Sequence, residues 1–203
     1  MSRFIYLASQ SPRRAQLLEQ LGVRFELLLP GPDENAEALE SALPNEAPAA
    51  YVKRVTALKL SAAVARRQRR QLAPALVLCS DTTVALGRVI YGKPESKAHA
   101  QQMLAALAGQ THRVLTAVAV QPVKAAALPS QVCSVSRVCF QAMSAAQIKA
   151  YVATGEPMGK AGAYAVQGRA AAHIARISGS YSGIMGLPLF ETAQLLRGLG
   201  WVF

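Results

Sequence analysis

Leu7 to Gly22 reads LASQSPRRAQLLEQLG, and this stretch decides what kind of fold follows. It joins the end of an apolar run, Phe4-Ile5-Tyr6-Leu7-Ala8, to a segment whose Leu17, Leu18 and Leu21 share one helical face. Between them lies a polar turn, Ser9-Gln10-Ser11-Pro12-Arg13-Arg14. Ser11 suits a helix N-cap, and Pro12 suits the first helical position, where an N–H is not needed. Gly22 stands where the helix should stop. The stretch therefore reads as buried strand, short turn, helix. Unpaired backbone N–H groups and the positive end of the helix dipole meet at such a junction. A turn carrying two hydroxyls and two arginines at that point suits an anion, phosphate above all.

The same alternation continues outward. RFELLLP returns as a second strand, and residues 30–48, rich in Pro, Glu and Ala, read as a loop. A long helix is predicted from about Ala49 to Arg70, with Tyr51, Val52, Val55, Leu58 and Leu60 as its apolar positions. PALVLCSD reads as a buried strand ending in a polar turn at Ser80-Asp81-Thr82, and VALGRVIYG as a hairpin around Gly87. A helix stopped by Gly109, two strands parted near Pro129 and a helix capped by Ser144 come next. A glycine-rich section then leads to the strand AAHIARI and a terminal helix. Alternating helices and strands place the chain in the α/β class. With no internal repeat and no linker that divides it, residues 1–203 are expected as one domain.

Composition excludes several classes. Apolar residues make up 52% of the 203, which is a globular and not a disordered balance. No apolar run approaches the roughly 18 residues of a membrane span, and the N-terminus lacks the h-region of a signal peptide. Three cysteines, Cys79, Cys133 and Cys139, argue against a disulfide framework and for a reducing compartment. Core packing is the ordinary reading for Cys133 and Cys139. His99, His112 and His173 lack the spacing of a zinc site. The net charge of +11 is unusual and raises nucleic-acid binding as one explanation. The run Arg66, Arg67, Arg69, Arg70 falls at the end of a predicted helix, where cations are favoured, and its ordinary reading is a solvated face. Few aromatics accompany it, so it is no single-strand stacking platform.

Chemistry-bearing residues are few. Of eleven acids only two are aspartates, Asp33 and Asp81. Asp81 is placed at the exit of an apolar strand, where open sheets carry functional groups; the alternative is a capping aspartate in a turn. Lys93 follows the hairpin, which could return it towards Asp81. Lys59 lies among small and apolar residues, where local sequence favours a snorkelling side chain. Glu34 sits in the loop after the second strand. Taken together these positions outline phosphoryl chemistry. Ser9, Arg13 and Arg14 suit a polyphosphate, Lys59 and Lys93 neutralise more of its charge, and Asp81 and Glu34 can hold a divalent ion or activate water. No P-loop or Rossmann glycine fingerprint is present, so a phosphate reader would have to be built from the strand–turn–helix.

Five segments in order, LASQSPRRAQLLEQLG, SDTTVALGRVIYGKP, GQTHRVLTAVAV, KAGAYAVQG and GSYSGIMGLPLFET, resemble the signature segments of the Maf family of nucleoside triphosphate pyrophosphatases. The likeness spans almost the entire chain. It implies an elongated α/β mixed-sheet domain flanked by helices with a central cleft, a cytoplasmic location and a divalent cation (Mg or Mn). It also implies hydrolysis of nucleoside triphosphates to the monophosphate and diphosphate. Carried over by position, Asp81 resembles the family's proton acceptor. Ser9, Arg14, Glu34, Lys59 and Lys93 fall on its other polar cleft positions, with Asp81 and Glu34 the acids for a metal. The branch acting on dTTP and UTP typically reads S-P-R-R, D-T and I-Q-G; Arg13, Thr82 and Gln167 match it. The branch acting on 7-methyl-GTP has Trp after the Pro, D-Q, and Glu for the Gln.

The resemblance implies a house-cleaning role on dTTP, UTP and modified pyrimidine nucleotides, and allows a homodimer. Nucleic acid and membrane are not the expected partners. Two other readings fit the same residues. One is a basic nucleic-acid-associated or septum-regulating protein on the same fold with little or no turnover, and the other is a weak pyrophosphatase. Asp81 discriminates between enzyme and binder: a pure binder has no need for an acid beside its phosphate site, where it would repel the ligand unless metal-bound.

Overall fold

Strand β1 (Ile5–Leu7) is three residues long and fully buried, and its shortness sets up the site. It lies parallel to β2 (Phe25–Leu27) on one side and to β3 (Leu76–Leu86) on the other. β3 continues past it for eleven residues in all. It pairs antiparallel with β4 (Val89–Tyr91), which closes the hairpin at Gly87, and with β5 (Thr111–Gln121). β6 (Ser130–Phe140) and β7 (Ile174–Ser178) extend the sheet antiparallel. The computed structural model, which describes residues 3–32, 34, 35, 37–123 and 128–203, thus holds a seven-stranded mixed sheet. Its order is β2-β1-β3-β5-β6-β7, with β4 on the edge of β3.

The two-residue period of a strand divides its side chains between two layers. Leu76 and Leu78 join Ile5 and Leu7 in packing against Leu17 and Leu18 of α1 (Pro12–Gln20) and Leu196 of α6 (Leu189–Gly198). Val77 and Cys79 point the other way, with Tyr6, onto Leu60 and Ala63 of α2 (Pro48–Arg69). Helix α3 (Lys97–Leu107) and helix α4 (Ala145–Ala153) cover Val84, Val138 and Phe140. A short helix α5 (Tyr181–Met185) precedes α6. Helix starts follow local chemistry. Ser96 caps α3 through the His99 N–H, and Ser144 with Gln147 forms a complete capping box on α4. Ser11 occupies the N-cap position of α1 without a side-chain cap bond. Leu58, expected on the apolar face of α2, is exposed. No described helix is long and apolar enough to cross a membrane.

The expected polar turn at Ser80-Asp81-Thr82 does not form; all three residues lie within β3. β5 pairs with β3 without interruption from Val77 to Ala85, with Asp81 opposite Ala117. Polar side chains end the apolar run but leave the backbone ladder intact. On the other edge of β3, β1 covers residues 76–78 and β4 covers 84–86. Among the described residues no strand pairs with the intervening stretch on that edge. This gap is where the cleft opens.

Gly162, in the 3₁₀ turn Ala161–Ala163, has φ +69°, and a Cβ there would come within 2.8 Å of Val84 Cγ2. Gly162→Ala combines a left-handed backbone with overpacking against a stiff β-branched side chain. It is expected to cost about 2–4 kcal/mol, visible as a fall of roughly 5–15 °C in a thermal melt.

Candidate active site

The cleft holds about 700 Å³, within the range of small-molecule sites. Strand parity brings its chemistry in from two layers. Asp81 shares the α2 face with Val77 and Cys79, and α2 meets it with Lys59. The Lys59 Nζ donates to Asp81 Oδ1 at 2.6 Å and to Glu40 Oε1 at 2.7 Å. The snorkelling expectation for Lys59 is therefore replaced by an inward ion pair. Its stem leaves an exposed turn of α2, but two carboxylates hold its ammonium in the cleft. Burial alone would lower the Lys59 pKa; Asp81 and Glu40 outweigh it and hold the pKa above the ordinary lysine value. Lys93, brought back by the β3–β4 hairpin, donates to both Glu40 oxygens at 3.2 Å. Burial would raise the Glu40 carboxyl, but Lys59 and Lys93 keep it below the usual range. Asp81 is buried, at 8% exposure.

Ser80 and Thr82 point to the opposite layer, where α1 delivers Arg14. The Arg14 guanidinium donates to Gly186 O at 2.8 Å, to Ser9 Oγ at 3.1 Å and to Thr82 Oγ1 at 3.5 Å. It fastens the SPRR turn, β3 and the α5–α6 turn to one another. Burial pulls its pKa down and Asp81 opposes that pull. Ser9 is buried, and its Oγ also accepts the Ser11 N–H at 3.2 Å. Ser80 Oγ lies 2.9 Å from both Gly186 O and Ala117 O, which compete for its one proton. Thr116 Oγ1 lies 2.9 Å from Thr82 Oγ1 and donates to Gly183 O at 2.7 Å. A hydroxyl has one proton, so Thr82 is the donor in the pair and keeps only acceptor capacity for the cleft.

Glu34 lines the cleft, yet its carboxylate does not join Asp81. Arg66 donates to it from Nε and Nη2 (2.9 and 2.6 Å to the nearer oxygen of each), Arg69 at 2.9 Å, and the Gly31 N–H at 3.3 Å. The expected Asp81–Glu34 pair is thus not assembled; the acid beside Asp81 is Glu40. Asp33 lies outside the described residues. The arginine run is a solvated face only in part: Arg69 and Arg70 are exposed, as expected, but the first half turns inward. Arg66 is buried and also donates to Leu28 O at 2.9 Å, and Arg67 bonds the Ala75 carbonyl. Arg66 ties Leu28 and Glu34 to the end of α2, because a buried guanidinium needs carboxylate and carbonyl acceptors.

Arg13, Lys160 and Gln167 also line the cleft. Arg13 Nε donates to Met185 O at 3.4 Å, and Gln167 is exposed. Burial lowers the Lys160 pKa, and neighbouring Arg13 lowers it further. Ser9, Arg13, Arg14, Lys59, Asp81, Thr82, Lys93 and Gln167 all border this one cleft. Glu40 and Lys160 were not singled out from the sequence. Lys160 lies inside the KAGAYAVQG segment. Nothing local sets Glu40 apart in an acid-rich loop, because its role arises only when the loop folds back over α2.

Of the groups that make the fold acid-sensitive, Glu34 and His112 stand out. The hydrogen bonds from Arg66 hold Glu34 at about 2, against 4.5 for a free glutamate. Burial pushes His112, whose Nε2 lies 2.8 Å from Tyr164 Oη, down to about 4. Both folded-state values lie below the unfolded ones, so the unfolded chain binds protons first as pH falls. Stability is expected to drop from about pH 6.5 to 4 as His112 must charge, by up to about 3 kcal/mol. It drops again below about pH 4.5 as Glu34 is protonated in the unfolded chain. Urea melts from pH 7 to 3 check this, and His112→Gln should flatten the upper window.

The chain is similar along nearly its whole length to known proteins. The chain is 68% identical over 201 residues to the dTTP/UTP pyrophosphatase of Albidiferax ferrireducens, covering 99% of each chain. It is 67% identical over 197 residues to the dTTP/UTP pyrophosphatase of a Polaromonas species, covering 97% of this chain and 96% of the other. A much weaker structural likeness, at TM-score 0.38 and 16% identity over 67% of this chain and 73% of the other, is to a nucleoside-triphosphatase (dITP/XTP pyrophosphatase) from Mycobacterium abscessus. The family model described as Maf-like protein matches residues 4–199, which take in every strand and every wall of the cleft, and the chain belongs to that family.

Proposed function

We propose that this protein hydrolyses dTTP and UTP to the monophosphate and diphosphate. The observation that carries this reading is the buried Asp81 carboxylate, 2.6 Å from Lys59 Nζ, in the gap of the sheet where the cationic side chains converge. In the proposed reaction water attacks the α-phosphorus, an O–P bond forms, and the bond from the α-phosphorus to the bridging oxygen breaks. Asp81 takes the proton from the attacking water. Lys59, Lys93 and Arg14 face the charge that grows on the phosphoryl oxygens and on departing diphosphate. Arg14 is already fixed by Ser9, Thr82 and Gly186, so it faces that charge preorganised. Arg13, Thr82 and Gln167 supply donors and acceptors for a pyrimidine edge.

The donor set also suits a hard divalent cation such as Mg or Mn. Asp81 and Glu40 offer two carboxylates side by side, and among the described residues no cluster of three His, Cys, Asp or Glu gathers. Mg prefers one or two carboxylates completed by substrate phosphate and water oxygens. When bound, such an ion neutralises the triphosphate and acidifies water. Asp81 and Glu40 would hold it, and Lys59 would shift from bridging the two acids to facing phosphate. We place the enzyme in the cytoplasm, consistent with three unpaired cysteines, Cys79 being held up to about 12 by burial.

The test is diphosphate release from dTTP, UTP, CTP, GTP and 7-methyl-GTP with Mg. Expected is turnover of dTTP and UTP at least about tenfold above the others in kcat/KM, abolished by EDTA and restored by Mg or Mn. A preference for 7-methyl-GTP would overturn the roles of Arg13, Thr82 and Gln167. No turnover by folded protein would transfer weight to a binding role.

A further inference from the structure

Gln167 lies in a tight turn, Ala165–Gly168, closed by the Gly168 N–H donating to Ala165 O at 3.0 Å. That turn is staked on both flanks by two side chains outside the cleft. Tyr151, on α4, accepts the Ala165 N–H at its Oη (3.4 Å) and donates to Glu156 Oε1 at 2.8 Å. Glu156 Oε2 accepts the Arg169 N–H at 3.0 Å, and the carboxylate is further bonded by the Ala170 N–H. The contact is close: a Cβ on Gly168 would lie 2.3 Å from Glu156 Oε1, so a side chain there would push the carboxylate out of place. The Glu156 carbonyl also accepts Lys160 Nζ at 2.6 Å, so the same segment sets the neighbouring cleft cation. α4 is itself a firm base, with its capping box and with Tyr151 and Val152 in the core.

We propose that Tyr151 and Glu156 are positioning residues for base selection. They hold the Ala165–Gly168 turn at the one height from which Gln167 meets the nucleotide base. This rests on the reading of Gln167 given above. Neither residue is among those lining the cleft, so both act through the turn. A carboxylate that accepts three donors is specific chemistry, because an amide in its place turns one acceptor into a donor facing another N–H or O–H.

The experiment measures kcat and KM for dTTP, UTP, CTP and GTP in Tyr151→Phe and Glu156→Gln, each alone and combined with Gln167→Ala. Either single change should lower kcat/KM for the preferred nucleotides by about 5–20-fold through KM, with kcat held within about threefold. The poor substrates should be unaffected, so selectivity collapses by the same factor. In the Gln167→Ala background both changes should lose their effect, since the group they position is gone. Selectivity that stays at the wild-type value, or losses that add in full to that of Gln167→Ala, would overturn the proposal. Should Glu156→Gln not fold, Tyr151→Phe, which removes one oxygen, decides alone. A wild type that does not favour dTTP and UTP overturns the proposed function instead. The positioning role then stands or falls on whether these variants erase whatever base preference the wild type has.

Discussion

Asp81→Asn is expected to lower kcat for diphosphate release from dTTP by about 10²–10⁴-fold, the usual worth of a positioned general base. The substitution keeps the shape and the oxygen that accepts Lys59 Nζ, and it leaves the β3–β5 ladder untouched. The fold should therefore survive, with a melting temperature close to wild type. At saturating Mg, KM should stay level or fall, since a negative charge beside the triphosphate disappears. Rate loss without weaker binding would identify Asp81 as acting on the reaction and not on the ground state. A variant that retained more than a tenth of the wild-type kcat would remove Asp81 from the role of proton acceptor and leave the cleft without an evident base.

The second large effect is expected at Lys59. Lys59→Met preserves the length of the stem but removes the ammonium that bridges Asp81 and Glu40. Two carboxylates are then left close together with no cation between them, and the phosphoryl charge loses one fixed donor. The expected loss is about 10²–10³-fold in kcat/KM, the scale found when one preorganised donor is removed. Because Lys59 and Asp81 work on one reacting centre, the double variant should be little worse than Asp81→Asn alone. Fully additive losses would mean that the 2.6 Å contact is structural and that the two side chains serve separate steps.

Much of this fold is legible locally. Pro12 and Ser144 mark helix starts, Gly22 and Gly109 mark stops, and Gly87 marks a hairpin, because each acts within a few residues of itself. The strand–turn–helix at Leu7–Gly22 is of this kind, and so is the α/β alternation. The ordered segments that resemble a known family extend that legibility to the residues of the cleft. Sequence by itself therefore determined most of the elements, the class and most of the polar residues that line the cleft.

Tertiary structure alone decided which acid meets which cation. Asp81 reads as a turn residue until β5 is seen paired across it, and only the register of β3 turns it to the α2 face towards Lys59. Glu34 and Glu40 look equivalent in the sequence, yet the loop gives the first to Arg66 and the second to Lys59 and Lys93. Arg66 reads as part of a solvated charge run, but it faces Leu28 and Glu34 once the strand end lies under the helix. The physical reason is the same in each case. Periodicity encodes which face a residue occupies, whereas an ion pair depends on what the chain brings opposite that face from tens of residues away.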